Sequence, residues 1–139
     1  MYYLIYISTA VKLMTDDELK EILVKSRKNN AEKSITGMLL YYGGTFIQLL
    51  EGKKQDVEYI YNKIELDARH MNLLKLITGE EDTRNFPDWS MGFGTADKTV
   101  LNALEGYTDP ANTEFFKGDT HSTPVTILKT FAENNKILR

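Results

Sequence analysis

The fold of this chain is decided by one stretch of sequence, Ile35-Thr-Gly-Met-Leu-Leu-Tyr-Tyr-Gly-Gly-Thr-Phe-Ile-Gln-Leu-Leu-Glu-Gly52. Two runs of apolar, β-branched and aromatic residues, Ile35–Tyr42 and Thr45–Leu50, flank the dipeptide Gly43-Gly44. Glycine readily adopts the positive φ angles that two-residue hairpin turns require. The stretch therefore predicts two antiparallel strands joined by a tight turn.

Two elements are predicted before this hairpin. The run Tyr2–Ser8 is rich in strand-forming residues. The sequence Thr15-Asp-Asp-Glu18 is a capping box, in which the threonine oxygen and the glutamate can bond free amide groups at a helix N-terminus. The helix that follows is expected to end near Asn29-Asn30, because asparagine is common just past a helix C-terminus.

Further elements are predicted after the hairpin. Gly52 precedes a second helix, whose apolar side chains recur at helical spacing at Val57, Ile60, Tyr61, Ile64 and Ala68. A fourth strand is predicted at Leu73–Thr78, and a possible fifth at Trp89–Phe93. The order strand-helix-strand-strand-helix-strand is typical of an α+β, ferredoxin-like fold. We therefore expect a mixed sheet, extended by the fifth strand, with both helices on one face.

A composition change separates this core from the C-terminal part. Residues 106–123 are rich in turn-forming residues and predict a loop. Asp97–Leu104 is expected to be a helix, and another is expected at about 124–135, with Thr123-Pro124 as its N-cap and first helical residue. Its apolar stripe would be Ile127, Leu128 and Phe131. These features predict a domain at 1–96 and a C-terminal helical extension at 97–139.

The composition excludes several kinds of chemistry. The chain has 139 residues, a formal net charge of −3, no cysteine and two histidines. This excludes a disulfide scaffold, a thiolate nucleophile and a metal site of cysteines or of many histidines. No basic excess favours direct nucleic-acid binding, and no segment predicts a signal peptide or a membrane span, so we expect a cytoplasmic protein. Its chemistry must use hydroxyls, amides, carboxylates or a bound cofactor.

Gln48 departs from the pattern of its own strand. Strand alternation places its side chain on the same face as those of Phe46 and Leu50. Because both neighbours are apolar, this face is predicted to be the one that packs in the core. A buried amide needs polar partners, and Tyr6 is a candidate because the first and third strands are neighbours in this topology. The pattern leaves a second interpretation open, in which Gln48 faces solvent at a bulge or bonds only protein groups.

Other polar and aromatic residues have ordinary structural explanations. Asn29-Asn30 fits a helix end, and Trp89 fits a partly buried packing residue on an edge strand. The mixed-charge group at the end of the second helix fits a solvated helix end and comprises Lys63, Asp67, Arg69 and His70. From spacing alone, the structural explanation is favoured for each of them.

Taken together, the segments resemble a BLUF domain, the blue-light sensor that uses flavin adenine dinucleotide. The resemblance covers about residues 1–94. Its matching motifs are Leu4-Ile-Tyr-Ile-Ser8, Asn29-Asn30, Ile35-Thr-Gly37, Phe46-Ile-Gln-Leu-Leu-Glu-Gly52, Asp67-Ala-Arg-His70 and Asn85-Phe-Pro-Asp-Trp-Ser-Met91. Their order and spacing are compatible with the family.

The resemblance implies FAD held between the two helices, with the edge of its ring against the sheet. Tyr6 and Gln48 would be the photoactive pair, and Asn30 would bond the polar edge of the isoalloxazine ring. Ile22 and Ile64 would pack on the ring faces. The remaining expected cofactor ligands are Asn29, Lys63, Asp67, Arg69 and His70, with no metal.

The resemblance also implies a signalling role rather than an enzymatic one. Trp89 and Met91 would relay the change at Gln48 through the fifth strand to the C-terminal helices. Because 139 residues leave no room for an output domain after the sensor, we expect a separate effector protein and a homodimer or higher homo-oligomer.

Three alternatives to a sensor remain open from the residues themselves. The first is a light-insensitive, ferredoxin-like module for ligand binding or dimerisation. The second is an acyl-phosphate hydrolase, which would need a glycine-rich anion loop near the first strand that the sequence lacks. The third is a flavin-dependent oxidoreductase, which would need space for a substrate where Tyr6 and Gln48 are expected.

Overall fold

A mixed sheet and three helices make up the part of the chain that the structure describes. In a computed structural model, the described residues are 1–86, the backbone of 92–95, and 122–134. The strands are β1 (Tyr2–Ala10), β2 (Thr36–Tyr42), β3 (Thr45–Gly52), β4 (His70–Glu80) and β5 (Gly92–Thr95). The helices are α1 (Asp16–Glu32), α2 (Lys54–Glu65) and α3 (Thr123–Asn134).

The strands lie in the order β4-β1-β3-β2-β5. The first four are antiparallel to their neighbours, whereas β5 runs parallel to β2. The predicted ferredoxin-like topology and mixed sheet are therefore confirmed. The register places Tyr6 of β1 directly opposite Gln48 of β3, as the expected strand order required.

Both faces of the sheet are covered, which explains why β3 is apolar on both sides. On one face, α1 and α2 pack against alternate strand residues that include Leu4, Tyr6 and Leu50. On the other face, Ile5 and Leu49 pack with Phe86 and α3. The prediction of α1 and α2 on one face is thus confirmed, and the C-terminal helix lies on the opposite face.

The ends of α1 and α2 differ from the prediction. α1 continues through Asn29-Asn30 to Glu32, and the residue with positive φ that follows the helix is Ser34, at 54°. Asn30 is 1% exposed, and its carbonyl accepts the N–H of Ile35 at 2.8 Å. Asn30 therefore lies inside the helix because tertiary packing buries it there, and it does not end the helix.

α2 is shorter than the spacing of its apolar residues predicted. It ends at Glu65, so Asp67 and Arg69 lie in a turn and His70 begins β4. The carboxylate of Asp67 accepts the backbone N–H of Arg69 at 2.9 Å. An aspartate that bonds the backbone two residues ahead stabilises a turn in place of another helical turn.

The C-terminal helix is confirmed, with different details. Ser122 caps it, because its Oγ accepts the N–H of Val125 at 3.3 Å. Of the predicted stripe, Leu128 is fully buried and Ile127 and Phe131 are partly buried, while the other buried residues are Pro124, Val125 and Ala132. The predicted helix at 97–104, and both Trp89 and Met91, lie outside the described residues.

Candidate functional site

A cavity of about 370 Å³ opens between α1, α2 and the sheet. Its volume lies in the range of small-molecule pockets, roughly 300–1,000 Å³. It is lined by Tyr6, Ile22, Lys25, Ser26, Asn29, Asn30, Leu39, Phe46, Gln48, Ile60, Lys63, Ile64, Leu66, Asp67, Arg69 and His70. The walls therefore come from both helices, four strands and the turn before β4.

The structure brings together every residue that the sequence predicted to contact a cofactor. Those residues are Ile22, Asn29, Asn30, Gln48, Lys63, Ile64, Asp67, Arg69 and His70, and Tyr6 joins them. They converge because Ile22, Asn29 and Asn30 recur on one side of α1. The other residues of the set are directed into the cavity by strand alternation, by the facing side of α2 and by the turn that follows α2.

Six lining residues were missed as site residues in the sequence. They are Lys25, Ser26, Leu39, Phe46, Ile60 and Leu66. A signal was available for some of them: Ser26 lies four residues after Ile22 and four before Asn30 on α1, and Phe46 shares the face of Gln48. Leu66 gave no signal, because its place at the cavity depends on where α2 ends.

A hydrogen bond joins two buried side chains on the sheet side of the cavity. The Tyr6 hydroxyl donates to Oε1 of Gln48 across the β1–β3 pair. Tyr6 is 3% exposed and Gln48 is 2% exposed. The oxygen end of the amide is thus directed at the phenol, and its nitrogen end is directed away from it. The interpretation of Gln48 as a buried amide paired with Tyr6 is confirmed.

The phenol of Tyr6 is held in its neutral form. Burial raises the pKa of Tyr6 far above its ordinary value, and the nearby Tyr61 and Asp67 raise it further. The rings of Tyr6 and Tyr61 meet edge to face, with centroids 5.5 Å apart. Because the phenolate is so disfavoured, Tyr6 acts as a hydrogen-bond donor throughout the physiological pH range.

His70 is oriented through both of its ring nitrogens. Nε2 lies 2.8 Å from the carbonyl oxygen of Ile64, and Nδ1 lies 3.0 Å from Oγ of Ser8. A carbonyl can only accept, so Nε2 carries a proton, and in the neutral ring Nδ1 accepts from the Ser8 hydroxyl. Since protein groups take both nitrogens, His70 presents its carbon edge and ring face to neighbours such as Phe46, whose centroid is 6.2 Å away.

Asp67 and Arg69 form an ion pair at the edge of the cavity. Arg69 Nε lies 3.0 Å from Oδ1 of Asp67, and Arg69 Nη2 lies 2.6 Å from Oδ2. The hydrogen bonds from Arg69 lower the pKa of Asp67 to about 2. The pair is therefore ionised at neutral pH, and its two-point geometry holds the turn after α2 in place.

The remaining charged groups of the cavity lie at its rim. Lys63 extends its ammonium to 5.3 Å from the ring centroid of Tyr59 on α2, while Lys25 is exposed on α1. Within the described ranges, no group of three or more His, Cys, Asp or Glu side chains could hold a metal ion. The helices described there are also too short or too polar to cross a membrane.

The lining of the cavity suits the chemistry of a flavin ring. An isoalloxazine ring is flat, with apolar faces and one edge that carries nitrogen and oxygen atoms. Ile22 of α1 and Ile64 of α2 line the cavity as apolar groups, and the buried amides of Asn30 and Gln48 line it as polar ones. Such a donor set suits a ring edge that both donates and accepts hydrogen bonds.

The chain matches a known family over most of its length. The family model described as BLUF, sensors of blue-light using FAD, matches residues 1–92. The chain therefore belongs to the BLUF family of blue-light sensors, whose members bind flavin.

Its relatives include parts of much larger proteins. Photoactivated adenylate cyclase subunit beta of Euglena longa is 37% identical over 93 residues, which are 66% of this chain and 11% of that subunit. The blue light- and temperature-regulated antirepressor BluF of Escherichia coli K12 is 36% identical over 75 residues, 51% of this chain and 19% of the antirepressor. This chain thus spans about a tenth of the length of the cyclase subunits that it matches.

A solved structure resembles the chain along nearly its whole length. BlsA in its photo-activated state has a TM-score of 0.68 and 28% identity, and the match covers 99% of this chain and 96% of that chain. The two chains are therefore similar in length as well as in fold.

Proposed function

We propose that this chain is a reversible blue-light receptor that binds FAD in the cavity between α1 and α2. The observation that carries the proposal is the buried hydrogen bond from Tyr6 to Gln48 in the cavity wall. It joins an oxidisable phenol to an amide whose two ends are nearly equal in shape. On this proposal the chain turns over no substrate.

Different residues of the cavity wall would contact different parts of the cofactor. Ile22 and Ile64 would pack on the ring faces, and Asn30 would bond the polar edge of the ring. The groups nearer the mouth would hold the ring edge, the ribityl chain or the phosphates, and they are Asn29, Lys63, Asp67, Arg69 and His70. The ion pair and the histidine contacts described above would orient this second group before the cofactor binds.

When bound, the flavin supplies absorption of blue light and an excited state that accepts an electron. Tyr6 would give up one electron and one proton and then regain both, so the cycle ends without net oxidation. Because the buried site disfavours a phenolate, the proton would not leave before the electron. Loss of the electron makes the phenol strongly acidic, so its proton would follow the electron toward the flavin through the hydrogen bond to Gln48, and both would return to Tyr6. Gln48 would rotate or tautomerise, which exchanges its donor and acceptor ends without a change of volume in the core.

The signal would leave the cavity through the segments that follow β4. We place Trp89 and Met91 in this relay, which would act on the extension at 97–139 beyond the sensor domain at 1–96. A separate effector protein, or a homodimer of the chain, would receive the change. The antirepressor relative supports a partner of this kind, because an antirepressor opposes a repressor.

The absorption spectrum of the purified protein tests the proposal. We expect a yellow protein whose flavin band shifts to the red under blue light and returns in the dark. Tyr6→Phe and Gln48→Leu should each abolish the normal shift while flavin stays bound. Tyr61→Phe is the matched control, because it keeps the ring against Tyr6 and should keep the shift.

Two outcomes would contradict the proposal. A colourless protein that does not take up added FAD would favour a light-insensitive binding module. A normal shift in either Tyr6→Phe or Gln48→Leu would show that the assigned residue is not part of the switch.

A further inference from the structure

A second buried polar cluster lies on the face of the sheet opposite the cavity. Glu51 follows Gln48 by three residues on β3, so alternation turns it to the other face, and it is 0% exposed. Its Oε1 accepts the N–H of Phe86 at 3.0 Å, and its Oε2 accepts the backbone and side-chain N–H groups of Asn85 at 2.9 and 2.8 Å. One carboxyl group thus holds residues 81–86, the segment that leaves β4, against β3.

A second carboxyl group completes this cluster. Oε2 of Glu81 accepts the side-chain N–H of Asn85 at 2.7 Å. Among the described residues, its Oε1 is buried without a hydrogen-bond partner. Two carboxylates that share one amide repel each other, so a proton on one of them relieves the repulsion. The position for that proton is Oε1 of Glu81, because Oε2 already accepts from Asn85, and the neighbouring carboxylate of Glu51 is the group that favours it.

The charged groups near Glu81 are directed at other partners, so they do not displace this proton. Arg84 directs its guanidinium at backbone and hydroxyl oxygens, the carbonyls of Ser34 and Glu51 and Oγ1 of Thr36. The N-terminal ammonium lies 3.5 Å from the exposed carboxylate of Glu80. Burial and the neighbouring Glu51 raise the pKa of Glu81 to about 8, against smaller lowering effects of Asn85 and the N-terminus.

The held segment anchors the C-terminal helix. Phe86 is 0% exposed and packs in the second core with Val125, Leu128 and Ala132 of α3. Glu51 binds the backbone N–H of that same phenylalanine. The attachment of residues 81–86 to β3 therefore places Phe86, one part of the surface on which α3 packs.

We propose that Glu51 and Glu81 share one proton and form a pH-sensitive clasp that holds residues 81–86 on β3 and so positions α3. The clasp needs only the protein's own groups, and it does not depend on flavin binding. Its place on the strand of Gln48 would make the packing of α3 sensitive to pH as well as to light.

The direction of the effect follows from proton linkage. When the clasp opens, residues 81–86 leave β3 and Glu81 is exposed to water. Its pKa then returns to the ordinary value, so opening releases a proton. Between that value and about 8, the opening equilibrium rises by up to about tenfold per pH unit, and above it the rise levels off. Below the ordinary value, both states are protonated and the equilibrium is flat.

Amide hydrogen exchange of the full-length protein in the dark tests the clasp. We expect the protection of the Asn85 and Phe86 amides, corrected for intrinsic rates, to fall by up to about tenfold per unit from pH 5.5 to 7.5. Amides of α3 should follow the same trend. Glu81→Gln replaces the carboxyl group by an amide, which can donate a hydrogen bond at every pH. In this variant, the protection of residues 85 and 86 and that of α3 should both be independent of pH. Glu80→Gln removes the neighbouring exposed carboxyl group and should behave as the wild type.

A second measurement uses the wild-type protein alone. The carboxyl carbon of Glu81, followed by NMR, should titrate with a midpoint near 8. A midpoint near that of an ordinary glutamate, or a Glu81→Gln profile with the wild-type slope, would overturn the shared proton. Opening of residues 85 and 86 without a change at α3 would overturn its positioning role.

Discussion

Replacement of Ser8 by alanine removes one hydroxyl from the partly buried contact between β1 and His70 at the start of β4. Ser8 is 1% exposed, and its Oγ lies 3.0 Å from Nδ1 of His70. The carbonyl of Ile64 holds the other ring nitrogen at 2.8 Å. Nδ1 cannot turn to a new donor without breaking that bond, so Ser8→Ala leaves a partly buried acceptor unsatisfied.

The expected loss of stability follows from this unsatisfied acceptor. A buried polar group that loses its partner costs about 1–3 kcal/mol of the free energy of unfolding. For a small domain, the urea dependence of that free energy is about 1–3 kcal/mol per molar. A loss of about 2 kcal/mol at a slope of about 2 kcal/mol per molar lowers the urea midpoint by about 1 M.

Urea unfolding followed by circular dichroism measures this midpoint. Thr9→Ala is the matched control, because Thr9 is the next residue on β1 and is exposed, so its loss should stay within about 0.5 kcal/mol. The Ser8 variant should also release bound flavin more readily, since His70 would lose one of its two restraints. Equal midpoints for the two variants would refute the role given to the Ser8–His70 hydrogen bond.

Other substitutions probe different parts of the structure. Phe86→Ala empties a fully buried site in the second core and should cost about 3–5 kcal/mol in thermal unfolding; a loss below about 1 kcal/mol would contradict that burial. Thr15→Ala removes the cap on the Glu18 N–H, 3.2 Å away, and should cost about 1 kcal/mol, whereas Thr126→Ala, on the exposed side of α3, keeps that cap. Asp67→Asn removes the ion pair with Arg69, and its effect should depend on pH. Because the pKa of Asp67 is lowered, the pair should stabilise the wild type fully above about pH 4, and this contribution should be lost as the pH falls to about 2. Solvent screening keeps this difference below about 1 kcal/mol, and acid profiles that match in both proteins would refute it.

The sequence predicted part of the site because strand alternation is a local property. Gln48 in an apolar run was a visible departure, and the strand order placed Tyr6 beside it before any contact was known. Glu51 is a polar residue in the same apolar run, and the same reasoning could have identified it. Its partners lie more than 30 residues away in the chain, so only packing reveals what it holds.

The helix ends show where local patterns fail. Ala68 continues the apolar spacing of α2, yet the Asp67 carboxylate bonds the Arg69 N–H and turns the chain. Asn29-Asn30 has the composition of a helix end, yet Asn30 is buried within α1. In both cases a tertiary or side-chain contact outweighs a preference of well under 1 kcal/mol per residue.

The sequence by itself determined the hairpin and the capped first helix, and it predicted the strand order and Tyr6 as a candidate partner of Gln48. The hairpin and the helix depend on turn chemistry and on periods of two or 3.6 residues, which short windows contain. The tertiary structure alone decided that α1, α2 and the turn before β4 enclose one cavity, and that Glu51 and Glu81 meet behind the sheet. Those results depend on segments far apart in the chain, whose approach is set by how the helices and strands pack rather than by any local preference.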